Sequence, residues 1–272
     1  MTDRPVIAFI GAGNMAFSLI TGLIQQGYPA NRLWATNPSI AKLHRLQKHW
    51  GLHISTDNME AATQADVIAL TIKPSVVTRV CHELSETLKQ RNCLIISSAV
   101  GVTTETMQKA LGYQHPIVRA MPNTPVAVGA GVTGLYANLH VNEPEKEFTE
   151  SLFRSVGTVQ WVLHERDLNV ITAISGSGPA YFLYFMEALE EAALSQGLSK
   201  DVAHLLTVQT ALGAAKLALT SEQTFSELRE KISPPNGTTE AAMKVMEYGR
   251  ITDTIVDAAK AAYARAEALS KA

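Results

Sequence analysis

Short apolar runs recur through the first part of the chain: "VIAFI" (6–10), "LWAT" (33–36), "DVIALTI" (66–72), "CLIISSA" (93–99) and "PIVRAMP" (116–122). They do not alternate with polar residues, so they read as strands covered on both faces. Helical or loop segments separate them. In the first, Met15, Leu19, Ile20, Leu23 and Ile24 share one helical face. Strands that alternate with helices predict a parallel sheet. Two later runs, "VTGLY" (132–136) and "VQWVL" (159–163), are expected as edge strands, with a helix over about 143–155 between them.

After about residue 165 the strand-like runs stop. Helical periodicity continues from Leu168 to the end, with breaks expected at 175–179, 197–200, 220–224, 233–237 and 249–252. "TFSE" (224–227) is a capping box. The segment "YFLYFMEALEEAAL" (181–194) is apolar around more than one face, and "ALGAAKLAL" and "AAKAAYARAEAL" are rich in small residues. Such helices must be covered by neighbours, and a partner subunit is the simplest cover. The expected fold class is α/β. A Rossmann-type dinucleotide-binding domain with a mostly parallel sheet (1–165) precedes an all-α helical domain (166–272).

Composition narrows the function. The 272 residues are 46% hydrophobic and 18% charged, which suits a globular chain. The net charge of −2, with both signs spread along the chain, argues against a nucleic-acid partner. No run approaches the roughly 18 apolar residues of a membrane span, and no signal-peptide pattern precedes the first apolar run. A cytoplasmic protein is expected, with Cys81 and Cys93 reduced and serving as small core residues. No Cys, His and Asp cluster has metal-ligand spacing.

Candidate chemistry begins at "IGAGNMA" (10–16), a G-x-G-x-x-A fingerprint between the first strand and the first helix. Gly11 permits the tight turn, Gly13 lets a pyrophosphate approach, and Ala16 lets helix and strand pack closely. Ala12, Asn14 and Met15 complete the phosphate loop. An NAD site normally carries Asp or Glu after the second strand. Here Asn37, Pro38 and Ser39 stand there, with Arg32, Lys42 and Arg45 nearby, which favours NADP; an ordinary capped turn is the competing reading. Thr71, Ile72, Lys73 and Pro74 end the 66–72 strand at the ligand-binding edge. Asn58 faces the cofactor or caps the helix at 58–65. Asn123, in "MPNTP", is expected in the wall of the site. "SGSGPAY" (175–181) is read as a helix break with a restart at Pro179, giving close backbone approach to a ligand or to another helix.

None of the eight histidines has a companion at catalytic spacing. A reaction that needs little proton management therefore fits, such as hydride transfer to a protonated carbon–nitrogen double bond.

In order along the chain, "IAFIGAGNMA", Asn58, "IKP", "MPNTP", "SGSGPAY" and "NGTTEAA" resemble the pyrroline-5-carboxylate reductase family over nearly the whole length. The resemblance implies reduction of Δ1-pyrroline-5-carboxylate to L-proline with NAD(P)H. It also implies a helical domain that serves dimerisation and substrate binding, in a homodimer or a dimer-based higher oligomer. The loop 236–239 is then expected to bind the substrate carboxylate, with Asn236, Gly237, Thr238 and Thr239, together with Ser177 and Gly178, at the substrate. Thr239 and Lys73 are the candidate catalytic residues. Pro234 departs from the family pattern, which has a serine or threonine there. Two rival readings stand beside this one. One is a β-hydroxyacid dehydrogenase-like reductase using Lys216 as acid/base. The other is an NADP-binding regulatory module without catalysis.

Overall fold

The computed structural model describes residues 4–91 and 93–271. The first part runs β1 (Ile7–Ile10), α1 (Asn14–Gln25), β2 (Leu33–Thr36), α2 (Ile40–Trp50), β3 (His53–Ser55), α3 (Asn58–Gln64), β4 (Val67–Leu70), α4 (Pro74–Lys89) and β5 (Leu94–Ser97). It continues with α5 (Thr104–Leu111), β6 (Ile117–Pro122), β7 (Gly131–Ala137), α6 (Glu143–Arg154), β8 (Gly157–Trp161) and α7 (Asp167–Ile171). A π turn over Thr172–Gly176 follows. Then come α8 (Gly178–Ser195), α9 (Lys200–Thr220), α10 (Phe225–Lys231), α11 (Thr238–Tyr248) and α12 (Ile251–Lys271).

The strands form one eight-stranded sheet in the order β3-β2-β1-β4-β5-β6-β7-β8. Every neighbouring pair is parallel except β6 and β7. All four residues of β1, β4 and β5 are buried, as continuous apolar runs require when helices cover both faces. Alternate residues of β1 feed two cores. Ile7 and Phe9 join Leu19, Leu43 and Leu152 from α1, α2 and α6. Ala8 and Ile10 join Ala61, Leu84 and Met107 from α3, α4 and α5. The order reverses between β1 and β4, so the crevice at their carboxyl ends is the switch point where such sheets bind ligands.

One expectation about the sheet needs correction, and one strand was not expected. β7 lies inside the sheet between β6 and β8, and of these two expected edge strands β8 alone is one. The short link from β6 forces an antiparallel return, and Leu135 and Thr133 are buried between neighbours. At the opposite edge, β3 had no apolar run to announce it, since His53–Ser55 carries one large apolar side chain.

The chain forms two compact units. One extends to Ser177 and includes the residues from Ala262 onward; the other spans Gly178–Ala261. The expected division lies earlier, after residue 165. Packing explains the difference. A Cβ on Gly134 of β7 would meet Ile171 Cδ1 at 2.5 Å and Leu168 Cδ2 at 3.1 Å, so α7 sits tightly on the sheet. Glu165 also accepts from Thr104 N–H at 2.7 Å and from the buried Arg119 guanidinium at 3.0 Å.

Within the second unit α8 packs on α9. Gly178, Ala203 and Thr207 are its buried residues among those described. Phe182, Leu183, Tyr184 and Leu205 are 74%, 62%, 75% and 65% exposed. α9 has the length and mean hydropathy (1.3) to cross a membrane, a property the run-by-run reading missed. Thr224 and Glu227 form the capping box expected at α10.

Candidate active site

The loop after β1 is built by exclusion. Gly11 has φ +99°, and a Cβ there would stand 2.6 Å from Ile72 Cγ2 and 2.8 Å from the Thr71 carbonyl. Only glycine fits. The loop is then tied down. Gly11 N–H and Ala12 N–H donate to the Thr36 carbonyl at 3.0 and 2.9 Å. The Thr71 hydroxyl donates to the Gly11 carbonyl at 2.7 Å. The first intrahelical bond of α1 is Phe17 N–H to Gly13 carbonyl. The N–H groups of Asn14, Met15 and Ala16 precede it and open the helix N-terminus to an anion. A Cβ on Gly13 would meet nothing within 4 Å. The loop thus fits a dinucleotide pyrophosphate: a fixed turn, open space and a row of donors.

Thr36 is a linchpin the sequence reading missed. Its hydroxyl donates to Asn58 Oδ1 at 2.6 Å while its carbonyl holds the loop. Asn58 is not the cap of α3; Asp57 is, accepting from Met59 N–H at 2.8 Å. Asn58 keeps its amide N–H groups for another partner.

After β2, Asn37 Oδ1 accepts from Ser39 N–H at 2.9 Å, an Asx turn that opens α2. Ser39 makes no side-chain cap bond, and no acidic residue occupies the first turn of α2. No carboxylate stands between Asn37 and Arg45. After β4, Lys73 is exposed as the residue before α4, and Pro74 is its first residue. Ile72 is half-buried against the second core.

Asn123, expected at the cofactor, makes two amide bonds within the fold. Nδ2 donates to the Ser175 carbonyl at 3.0 Å, and Oδ1 accepts from Val132 N–H at 2.8 Å. The helix is interrupted within "SGSGP", as expected: a π turn ends at Gly176, Ser177 is a bend, and α8 restarts at Gly178 with Pro179 in its first turn.

In the second unit, Gly237 is the N-cap of α11, and Thr238 and Thr239 are its first residues. A Cβ on Gly237 would stand 2.9 Å from the Pro234 carbonyl. Asn236 has φ +59°. Its N–H donates to Glu240 Oε2 at 2.9 Å, which together with Lys244 holds the Glu240 carboxyl below its ordinary range. Glu240 was missed, although a glutamate at the third helical position is a known capping signal. The first intrahelical bond runs from Ala241 N–H to the Gly237 carbonyl. The N–H groups of Thr238, Thr239 and Glu240 therefore remain open to an anion. The Ser233 hydroxyl is buried without a partner beside Pro234. Lys216 stands exposed on α9. Among the described residues no group of His, Cys, Asp and Glu is arranged to hold a metal.

A doubly wound sheet with a phosphate-ready loop at its switch point, continued by an all-helical unit, defines a Rossmann-type dinucleotide oxidoreductase. Residues 6–101 match the family described as NADP oxidoreductase coenzyme F420-dependent, and residues 165–269 match pyrroline-5-carboxylate reductase dimerisation. A pyrroline-5-carboxylate reductase of Vibrio alginolyticus is 41% identical over 270 residues, 99% of each chain. A solved pyrroline-5-carboxylate reductase of Coxiella burnetii is 48% identical with a TM-score of 0.94, covering 99% of this chain and 100% of that one. A Plasmodium falciparum pyrroline carboxylate reductase solved with NADP bound is 28% identical with a TM-score of 0.88, over 99% and 100% of the chains. The chain belongs to the pyrroline-5-carboxylate reductase family. It carries that family's dimerisation domain behind an NADP oxidoreductase domain.

Proposed function

We propose that this chain reduces Δ1-pyrroline-5-carboxylate to L-proline, the last step of proline biosynthesis, and prefers NADPH to NADH. The observation that carries the reaction is full-length likeness to the Coxiella reductase at 48% identity. Bound at the switch-point crevice, NADPH supplies the hydride. The chain's own residues have the remaining tasks.

Gly11, Ala12, Gly13, Asn14 and Met15 receive the pyrophosphate, and Asn58, Thr71, Ile72 and Pro74 line the same edge. Lys73 adds positive charge there, and among the described residues no carboxylate pairs with it. Asn37, Pro38 and Ser39 receive the 2′-phosphate, at the start of a helix that carries Lys42 and Arg45.

The substrate is a carboxylate, and the open N–H groups of Thr238 and Thr239 at the start of α11 suit it. Among the described residues the Thr239 hydroxyl has no partner, and it is assigned to orient the ring nitrogen. Ser177 and Gly178, and Asn236 and Gly237 at the start of α11, are the other residues assigned to the substrate. A protonated imine is already electrophilic, so the reaction asks for no strong acid.

The dimerisation match covers all of α9, which supports a protein neighbour, and not lipid, as the cover for that helix. A cytoplasmic homodimer or a larger assembly of dimers is the corresponding assignment. The test follows NADPH oxidation with pyrroline-5-carboxylate and, separately, NADP reduction with 3-hydroxy acids. Turnover with the imine alone is expected, at a higher kcat/KM for NADPH than for NADH. Turnover confined to 3-hydroxy acids would reject the reading.

A further inference from the structure

The π turn is where the sheet unit ends. Ser177 N–H donates to the Thr172 carbonyl at 2.9 Å, a step of five residues in place of four. A π turn holds one extra residue, so relaxing it to α geometry would turn each later residue by about 100° around the helix axis. Such turns are rare and are found frequently at functional sites.

Here support for the turn comes from the end of β6. Asn123 is buried, and its amide bridges Ser175 in the π turn to Val132 in β7. A donor must face the Ser175 carbonyl and an acceptor must face Val132 N–H, so only one orientation of the amide serves both. Met121 grips the same turn from beside it. A Cβ on Gly176 would lie 2.8 Å from Met121 Cε, so a side chain there would displace the Met121 methyl. Inside the turn, the Thr172 and Ser175 hydroxyls donate to the carbonyls of Leu168 and Ile171 at 2.7 and 3.0 Å. Hydroxyls that bond back in this way loosen the ordinary helical ladder. The turn therefore keeps its shape through Asn123 more than through its own backbone.

We propose that Asn123 is a positioning residue for the reaction: by holding the Ser175 carbonyl it maintains the π turn and fixes the place of Ser177. The proposal rests on the reading above that Ser177 and Gly178 line the substrate. It assigns Asn123 no contact with cofactor or substrate. A residue that only stabilises the fold would lower the melting temperature without separating substrate affinity from cofactor affinity.

The test uses the full-length enzyme. Asn123→Asp keeps an acceptor for Val132 N–H and loses the donor to Ser175. Hydrogen exchange over 172–177 should speed up while 132–136 stays protected. KM for pyrroline-5-carboxylate should rise about tenfold, with the NADPH Kd unchanged within about twofold. Unchanged exchange over 172–177, or an NADPH Kd that rises in step with KM, would overturn the proposal. Should that variant not fold, Gly176→Ala disturbs the turn from the Met121 side and should give the same signature. Gly178→Ala checks the substrate assignment itself: a Cβ there meets nothing within 4 Å, so the fold tolerates it. A raised KM in Gly178→Ala beside an unchanged KM in Asn123→Asp would reject the positioning role alone. An unchanged KM in Gly178→Ala would reject that assignment, and the proposal with it.

Discussion

Asn37 shows how one side chain sets both backbone and selectivity. Its Oδ1 closes the Asx turn onto Ser39 N–H, and its amide N–H groups stay available. Aspartate is nearly isosteric and keeps the turn, so Asn37→Asp changes charge and donor capacity without changing shape. Beside a 2′-phosphate, a lost donor and a like charge cost roughly 1–3 kcal/mol, on the order of tenfold to a hundredfold in kcat/KM for NADPH. NADH use should change far less. Steady-state kinetics with both cofactors decide the matter, and equal losses would remove Asn37 from the 2′ site. His115 makes a different point at the same scale. It is 4% exposed and lies 3.7 Å from Cys93 Sγ, and burial pushes its pKa down to about 4. The unfolded chain takes up that proton at a higher pH than the native protein. Stability is therefore full above about pH 6.5 and falls as pH drops toward 4, by at most about 3 kcal/mol. Denaturant unfolding across pH 7 to 4 should show a shallower acid loss in His115→Gln than in the parent. Parallel curves would assign the acid sensitivity to other groups.

Among the elements, α11 has the least conventional start. Asn236 is held at positive φ, a conformation tolerated by asparagine more readily than by most residues, and Glu240 accepts its N–H. Glu240→Ala should free the loop and raise KM for pyrroline-5-carboxylate several-fold, while Glu240→Gln, which keeps an acceptor, should raise it less. Adding Asn236→Gly to the alanine variant should recover part of the loss, because glycine adopts that conformation without help. KM values for substrate and for NADPH measured together check this; equal effects of Ala and Gln would show that charge, not the bond to Asn236, matters. Thr239→Ala should lower kcat/KM by roughly 1.5–3 kcal/mol, with Thr239→Ser close to the parent. How far these features could be read from the chain depends on whether the cause is local. The phosphate loop was legible because Gly11, Gly13 and Ala16 each answer a backbone demand within one turn. The capping box of α10 was legible for the same reason. The π turn was not: Ser-Gly-Ser-Gly-Pro announces the interruption at Ser177, but the turn over Thr172–Gly176 before it also rests on Met121 and Asn123, about fifty residues upstream. The same distance hides the use of the Asn123 amide. β3 was missed because an edge strand needs no apolar run, and the interior place of β7 follows from the short antiparallel link, which no single run reveals.

At the scale of the whole molecule, the second unit cannot account for its own composition. Phe182, Leu183, Tyr184 and Leu205 remain mostly exposed on α8 and α9, and the family's dimerisation domain covers both helices. Exposed apolar area on this scale is stabilised only by being buried against a partner, at about 25 cal/mol per Å². Folding and association should then be one equilibrium, and the melting temperature should depend on concentration. A tenfold dilution changes the free energy of a dimer by about 1.4 kcal/mol. Because both chains of the dimer unfold together, that lowers Tm by about 1–2 °C, where a monomer would show no shift. Leu205→Glu offers the sharper version. In the isolated chain Leu205 lies on the surface, so a carboxylate there costs almost nothing. Inside an interface the same carboxylate is desolvated without a partner, and that penalty exceeds what most dimers tolerate from one site. Sedimentation should therefore find the variant as monomer, with a lower Tm and reduced activity, at concentrations where the parent is fully associated. An unchanged sedimentation coefficient in Leu205→Glu and in Leu183→Glu, with Tm independent of concentration, would show that the apolar faces of α8 and α9 are not where the subunits meet.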